Sequence, residues 1–469
     1  MKVEQMFTGC LAEMAYYISD NGEAAIIDPL RETAPYLEMA EADGAKIKWI
    51  FLTHFHADFV SGQVDLAKKT GATIVFGPSA KTAYDIHEAK DGEMFPIGNI
   101  NLQLIHTPGH TMESSSYVLI DENENKPYLF SGDALFIGDV GRPDLAVKQG
   151  TLTEADLAGH LFDSLRNKIM TLPDDIIVYP NHGAGSSCGK NMSDETFDTL
   201  GNQKKTNYAL RADMTKEEFV KEVITGLTAP PQYFPKNVGM NKGINTEIDE
   251  IIATGTMPLS VDEFKAKMSD VLVLDTRSKE AFTAEHIPGT MFVGLDGSFA
   301  TWVGTLILDI NTEIIFVADE GQEEEVVTRL ARVGYDNTQG FLKGGIDAWK
   351  AAGNETDSVG SVTADEFATV HKAGGDFTEL DVRKKSEYQS EHVIGVDNFP
   401  LDWINRDLKN LDKNKKYYLH CASGYRSLVA ASILKANGID NVVDVAGGFT
   451  DLKETNIEMS EYVCPTTLL

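Results

Sequence analysis

Ile47-Lys48-Trp49-Ile50-Phe51-Leu52-Thr53-His54-Phe55-His56-Ala57-Asp58 is a strand-like apolar run that ends in three metal-type side chains. Two imidazoles two residues apart at a strand end can converge on one ion. The pattern repeats along the chain. His110 sits in Thr107-Pro108-Gly109-His110-Thr111, a tight turn after the strand-like run Ile100 to Ile105. Asp133 closes Phe130-Ser131-Gly132-Asp133 after the run from Tyr128, and His182 follows Ile176-Ile177-Val178-Tyr179-Pro180-Asn181. A helix is expected from about Phe59 to Thr70, with further strands at Ala72 to Phe76 and Ser116 to Ile120. Three prolines within Ala229 to Pro235 mark a connector. Lone histidines such as His87, His106, His160 and His371 read as ordinary core or surface residues. Four strand ends that each offer a ligand-type side chain read as a metal site.

Hydrophobic residues (42%) and charged residues (24%) are in ordinary globular proportion, and 469 residues leave room for about three domains. The net charge of −31 repels nucleic acid and anionic membrane surfaces, so neither is an expected partner. An anionic substrate would need local basic groups or backbone amides. No signal-peptide pattern and no apolar run of membrane-spanning length is visible. The cysteines, Cys10, Cys188, Cys421 and Cys464, are far apart and form no C-x-x-C pair. A disulfide framework is not expected, which makes the cytoplasm the natural compartment.

The second half repeats itself. Leu274-Asp275-Thr276-Arg277, then Glu285-His286-Ile287-Pro288-Gly289, recurs 106 residues later as Leu380-Asp381-Val382-Arg383, then Glu391-His392-Val393-Ile394-Gly395. Gly344-Gly345 recurs as Gly447-Gly448. Two α/β domains are expected, joined near Asn354 to Gly360. In the later copy, His420-Cys421-Ala422-Ser423-Gly424-Tyr425-Arg426-Ser427 links a strand to a helix beginning near Tyr425. A cysteine beneath a helix N-terminus is favoured as an anion. The C-x4-R loop is one residue shorter than the C-x5-R loop that cradles a phosphate in tyrosine phosphatases, and it suits a terminal sulfur. Aligning Gly321 with Gly424 places Ala318 where Cys421 sits and Glu323 where Arg426 sits. The earlier copy therefore lacks a nucleophile and carries acidic groups that repel an anion.

The ordered set T-H-x-H-x-D, P-G-H-T, S-G-D and a late histidine resembles the metallo-β-lactamase superfamily over about the first 240 residues. The cysteine loop, with its Asp-x-Arg, Glu-His and Gly-Gly flanks, resembles a rhodanese over roughly residues 360 to 460. Together they resemble bacterial persulfide dioxygenase–rhodanese fusions of the sulfide-detoxification type. The resemblance implies an α/β protein with an N-terminal αββα metallo-β-lactamase sandwich (1–245), an inactive rhodanese-like domain (246–355) and an active rhodanese domain (360–469). It implies Fe(II), one per chain, on His54, His110 and Asp133, a two-His-one-carboxylate set with open positions for O2 and substrate. His56, Asp58 and His182 would orient ligands or water from behind. Arg142 resembles the family's substrate-anchoring arginine, and its fork suits a carboxylate or phosphate. Cys421 would carry sulfur, and Arg426 with the amides of residues 422 to 426 would stabilise the anion or bind sulfite. The implied partners are a low-molecular-weight thiol persulfide, O2 and sulfite, with a dimer or tetramer as the assembly. Cys188, in the loop Gly183-Ala184-Gly185-Ser186-Ser187-Cys188-Gly189, is expected to be mobile and exposed. It either exchanges with a persulfide or is a passive loop cysteine.

One departure matters. Glyoxalase II-like members carry His directly after the Asp, as a ligand of a second metal, and here that position is Phe59. The loss weakens the competing reading, a di-zinc thioester hydrolase with accessory rhodanese domains. A non-enzymatic sulfur-carrier or sensing scaffold fits less well, because the ligand set and the cysteine loop are both intact.

Overall fold

The computed structural model describes residues 1–147, 151–190, 192–227 and 229–464, so the last five residues of the expected third domain lie outside the described residues. The chain divides into two compact units, Met1–Ile248 with Ala331–Gly334, and Asp249–Leu330 with Tyr335 onward.

The first unit holds two six-stranded sheets. One runs in the order Lys2–Thr8, Glu13–Asp20, Glu23–Ile27, Lys46–Phe51, Thr73–Phe76, His87–Glu88. The other runs Asp198–Thr199, Ile177–Pro180, Tyr128–Gly132, Ser115–Ile120, Ile100–His106, Met94–Ile97. Side chains alternate across each strand, and both faces are covered. Tyr16, Ala25, Ile27 and Phe51 pack with Leu102, Tyr117, Leu119 and Phe130 between the sheets. Their neighbours Tyr17, Ala24, Ile26 and Ile50 pack outward against Tyr36 and Leu66, on helices Ala34–Ala42 and Gln63–Thr70. On the far side Val118, Leu129 and Val178 meet Leu161, Leu165 and Phe219, from helices Glu154–Asn167 and Lys216–Ile224. The layering is αββα. Burial on both faces is why the central strands read as apolar runs rather than alternating ones.

Most expected elements fall within a residue or two of their observed bounds. The helix placed from Phe59 begins instead at Gln63. The connector around Pro235 in part forms helix Phe234–Lys242, with proline in its first turn. There the missing N–H costs nothing and the ring presets the helical φ.

The second unit holds two five-stranded parallel sheets of the same order. The first runs Pro258–Leu259, Thr338–Leu342, Ile314–Val317, Leu272–Asp275, Met291–Phe292. The second runs Gly360–Val362, Val442–Val445, Lys416–His420, Phe377–Asp381, Asp397–Asn398. The repeated Asp-x-Arg motif does the same job in both. Arg277 donates to Asp275 at 2.6 Å and to the Glu285 carbonyl at 2.8 Å. Arg383 does so to Asp381 and Glu391 at the same distances. The motif is a buried brace at a strand end.

Candidate metal centre and cysteine loop

Four strand ends of the first unit deliver His54, His56, Asp58, His110, Asp133 and His182 to one place, and all six are buried. His54 Nε2 lies 3.8 Å and His110 Nε2 3.4 Å from Asp133 Oδ2. The three ligand atoms lie within 4.8 Å of one another. Asp133 Oδ2 has no hydrogen-bond partner despite complete burial.

Hydrogen bonding leaves a bare nitrogen on both rings. The His110 Nδ1–H donates to the Arg142 carbonyl at 2.8 Å, which leaves Nε2 with its lone pair. The Thr53 hydroxyl donates to Asp28 Oδ2 at 2.8 Å, so its oxygen can only accept from His54 Nδ1, 2.9 Å away. His54 Nε2 is therefore also bare. Burial, and next the neighbouring His56 ring, hold the His54 imidazole well below its usual range and so neutral, as a metal ligand must be. Burial alone would raise the Asp133 carboxyl, but the His182, His54 and His110 rings hold it far below the carboxylate range. Two lone pairs and an orphaned carboxylate oxygen on one point fit a divalent ion with positions to spare. Gly141 makes the approach possible, since a Cβ there would stand 2.0 Å from the Asp133 carbonyl oxygen.

His182 is clamped between carboxylates. Its Nδ1 meets Asp133 Oδ1 at 2.9 Å and its Nε2 meets Asp58 Oδ2 at 2.8 Å. Burial favours the neutral ring, yet Asp133 and Asp58 hold its proton well above the usual range. His56 Nε2 donates to Asp28 Oδ1 at 2.9 Å, and Phe59 stacks on the His56 ring, centroids 4.3 Å apart. Arg142 is buried and its fork grips Asp144 with two bonds of 2.7 Å and the Ser187 carbonyl at 3.1 Å.

Cys188 corrects an expectation: it is buried, not exposed. Its loop is stitched down, with Lys190 N–H donating to Asp139 at 2.6 Å, Ser193 N–H to the Ile137 carbonyl, and Arg142 N–H to the Cys188 carbonyl at 3.0 Å. The Gly/Ser composition suggested mobility, but the backbone finds fixed partners. Burial first, then the charges of Asp58 and Asp133, push the Cys188 thiol well above its ordinary range.

In the second unit, strand Lys416–His420 delivers Cys421 under helix Tyr425–Ala436. The Gly424 N–H points at Cys421 Sγ from 3.1 Å. Arg426 pairs with both oxygens of Glu387 at 2.6 and 2.9 Å. Gly448 must be glycine, because its φ is +61° and a Cβ would stand 2.4 Å from the Cys421 carbonyl oxygen. In the earlier copy the amide matching Gly424 is occupied: Gly321 N–H donates to Glu323 Oε2 at 2.9 Å. That loop closes on its own carboxylate where the later copy presents sulfur.

Comparison with known proteins supplies the family. A metallo-beta-lactamase superfamily model matches residues 8–182, and a rhodanese-like domain model matches residues 260–352 and 363–455. The human protein named persulfide dioxygenase ETHE1, mitochondrial, is 31% identical over 251 residues, which is 52% of this chain and 89% of that protein. The chain belongs to the persulfide dioxygenase family. In this dioxygenase–rhodanese fusion the enzyme architecture extends beyond that relative. A crystal structure described as a metallo-beta-lactamase from Staphylococcus aureus aligns at TM-score 0.64 and 32% identity, covering 73% of this chain and 98% of its own. ETHE1 from Myxococcus xanthus aligns at TM-score 0.44 and 28% identity, covering 52% of this chain and 98% of its own.

The dioxygenase domain also has a residue that sequence reasoning missed. Asp28 accepts from Thr53 N–H and Thr53 Oγ1–H, from His56 Nε2 and from Asn181 Nδ2, and so ties together two of the four loops that carry the candidate ligands. Its signal is an Asp-Pro pair directly after the apolar run Ala24 to Ile27. No helix among the described residues is long and apolar enough to cross a membrane.

Proposed function

We propose that the chain is a mononuclear non-haem Fe(II) persulfide dioxygenase coupled to a rhodanese, with domains over 1–245, 246–355 and 360–469. The observation that carries this is the pair of bare Nε2 atoms facing the unpartnered Asp133 Oδ2. Iron bound there would supply oxygen activation, in the reaction R–S–SH + O2 + H2O → R–SH + sulfite + 2 H⁺. His54, His110 and Asp133 would hold it. His182 keeps its proton between Asp133 and Asp58 and so fixes the ligating carboxylate, while Asp28 sets the tautomer of the His54 ring through Thr53. Arg142 holds the His110 ring through its carbonyl; to anchor the substrate as well, its fork would have to leave Asp144.

Cys421 would take the sulfane sulfur as a persulfide and pass it to sulfite, giving thiosulfate and the free thiol. The Gly424 N–H and the helix N-terminus stabilise the sulfur anion, and Arg426 sets positive charge beside it. The inactive domain has no such role. The setting is a cytoplasmic homo-oligomer. The test is anaerobic metal analysis followed by oxygen-electrode assays on a panel of thiol persulfides. Iron near one per chain with persulfide-dependent O2 uptake supports the reading, and Cys421→Ser should then release sulfite in place of thiosulfate. Two zinc ions per chain without O2 uptake would refute the dioxygenase, and unchanged thiosulfate from Cys421→Ser would refute the carrier cysteine.

A further inference from the structure

Asp444 is a buried carboxyl that the fold itself does not ask for. It stands on strand Val442–Val445, and in the inactive copy Phe341 fills the matching position. The match follows from aligning Gly344-Gly345 with Gly447-Gly448, and the same offset puts Glu324 where Ser427 stands. The inactive copy has therefore lost both residues together with its cysteine. In the working copy they lie beside the sulfur. The Ser427 hydroxyl, on helix Tyr425–Ala436, donates to Cys421 Sγ from 3.6 Å. Burial raises the Asp444 carboxyl, and the Ser427 hydroxyl, hydrogen-bonded to it, draws it part of the way back. Asp444 Oδ1 is buried without a hydrogen-bond partner. The carboxyl lines a cavity of about 380 Å³ that also touches Gly424 of the cysteine loop and Gly447 of the Gly-Gly turn.

One hydroxyl proton thus faces two acceptors. A protonated carboxyl can donate, whereas an ionised one only accepts. With Asp444 protonated, its O–H donates to Ser427 Oγ and the Ser427 proton is left for Sγ. With Asp444 ionised, the carboxylate competes for that proton and Sγ loses a donor. We propose that Asp444 is a positioning residue that aims the Ser427 hydroxyl at Cys421 Sγ during sulfur transfer. The proposal rests on the carrier role of Cys421. The step concerned is Cys421–S–S⁻ + SO3²⁻ → Cys421–S⁻ + S2O3²⁻. The sulfite lone pair forms the new bond to the outer sulfur, the bond from that sulfur to Sγ breaks, and its electron pair stays on Sγ. Neither proton nor oxidant is consumed, so a donor on Sγ acts by stabilising the departing thiolate. The charged groups across the cavity from Asp444 are Lys279 and Glu280 of helix Lys279–Ala284. Those around Cys421 are Arg426, its partner Glu387, and Asp402.

The test is a single-turnover discharge assay on the full chain without oxygen. Cys421 is loaded with glutathione persulfide, freed of excess donor and mixed with sulfite, and thiosulfate is read by rapid quench on either side of pH 6, where Asp444 titrates. Rates are taken relative to wild type at the same pH, which cancels the titration of sulfite itself. Asp444→Asn keeps an N–H for Ser427 Oγ at every pH. It should match wild type below pH 6 and run roughly tenfold faster above it, the scale of one hydrogen bond to a charged group. Ser427→Ala should be slow at every pH, and adding Asp444→Asn to it should change nothing. Ser427→Thr keeps a hydroxyl and should restore the wild-type pH response. A ratio of Asp444→Asn to wild type that does not change with pH, or an effect of Asp444→Asn that persists in the Ser427→Ala background, overturns the proposal and leaves the carrier cysteine intact. Wild-type discharge from Cys421→Ser would instead refute the carrier cysteine itself.

Discussion

Asp28→Asn tests whether the metal centre is set by a hydrogen-bonded hub rather than by its ligands alone. Asp28 lies at φ = +50°, a left-handed conformation that asparagine tolerates better than most residues, so the backbone should persist. The hydrogen bonding should not. Four donors converge on the two carboxylate oxygens, two on each: Thr53 N–H and His56 Nε2 on Oδ1, Thr53 Oγ1 and Asn181 Nδ2 on Oδ2. An amide has one acceptor oxygen, so in either orientation its NH2 faces two donors. Each bond to a charged group contributes roughly 1.5–3 kcal/mol, and a stranded buried donor costs roughly 1–3 kcal/mol. After Thr53 rotates or His56 changes tautomer, a net loss of about 3 kcal/mol is expected. If Thr53 no longer accepts from His54 Nδ1, the His54 ring is free to protonate Nε2 and cease to be a ligand. Loss of such an orienting partner weakens metal binding roughly 10- to 100-fold. The assay is anaerobic competition for Fe(II) against a chromophoric chelator, with denaturant unfolding of the apo chain in parallel. A folded variant with unchanged iron affinity would refute the hub.

Burial pushes the Asp444 carboxyl up from 3.8 to about 6, although Ser427 and Lys279 pull it down. Between those values the unfolded chain has released a proton that the folded chain keeps, so this group costs stability as pH rises through the window. The full cost, about 3 kcal/mol at about 1.4 kcal/mol per tenfold, is present above pH 6. Asp444→Asn should remove that pH-dependent loss, and parallel stability–pH curves for wild type and variant would sink the argument. Gly448→Ala should displace the Cys421 carbonyl and cut thiosulfate formation roughly 100-fold, the scale expected of an ångström-sized misplacement. Normal sulfurtransferase rates in that variant would show that the loop adapts.

The ligand loops were legible because each combines an apolar strand with a polar terminus at a recognised spacing, and strand ends in a two-sheet sandwich converge by topology. Asp28 was not, since its role comes from four donors far from it in sequence, on Thr53, His56 and Asn181, and a lone Asp-Pro pair carries no such information. Cys188 was misread for the opposite reason. Composition reports how freely a loop could move, whereas burial depends on whether Asp139, Ile137 and Arg142 meet its backbone.

The internal repeat separates fold from chemistry within one chain. Both copies keep the Asp-x-Arg brace with matching bond lengths, and both keep the Gly-Gly turn with positive φ at each glycine. These residues satisfy buried groups and backbone geometry that any copy of the fold must satisfy. The cysteine loop answers to no such requirement. Once the amide that faces Cys421 Sγ in one copy is capped by Glu323 in the other, the strand–loop–helix unit still closes its hydrogen bonds. With Ala318 at the matching position the loop needs no cysteine to close, whereas loss of Arg277 would strand the buried carboxylate of Asp275 and cost about 3–5 kcal/mol.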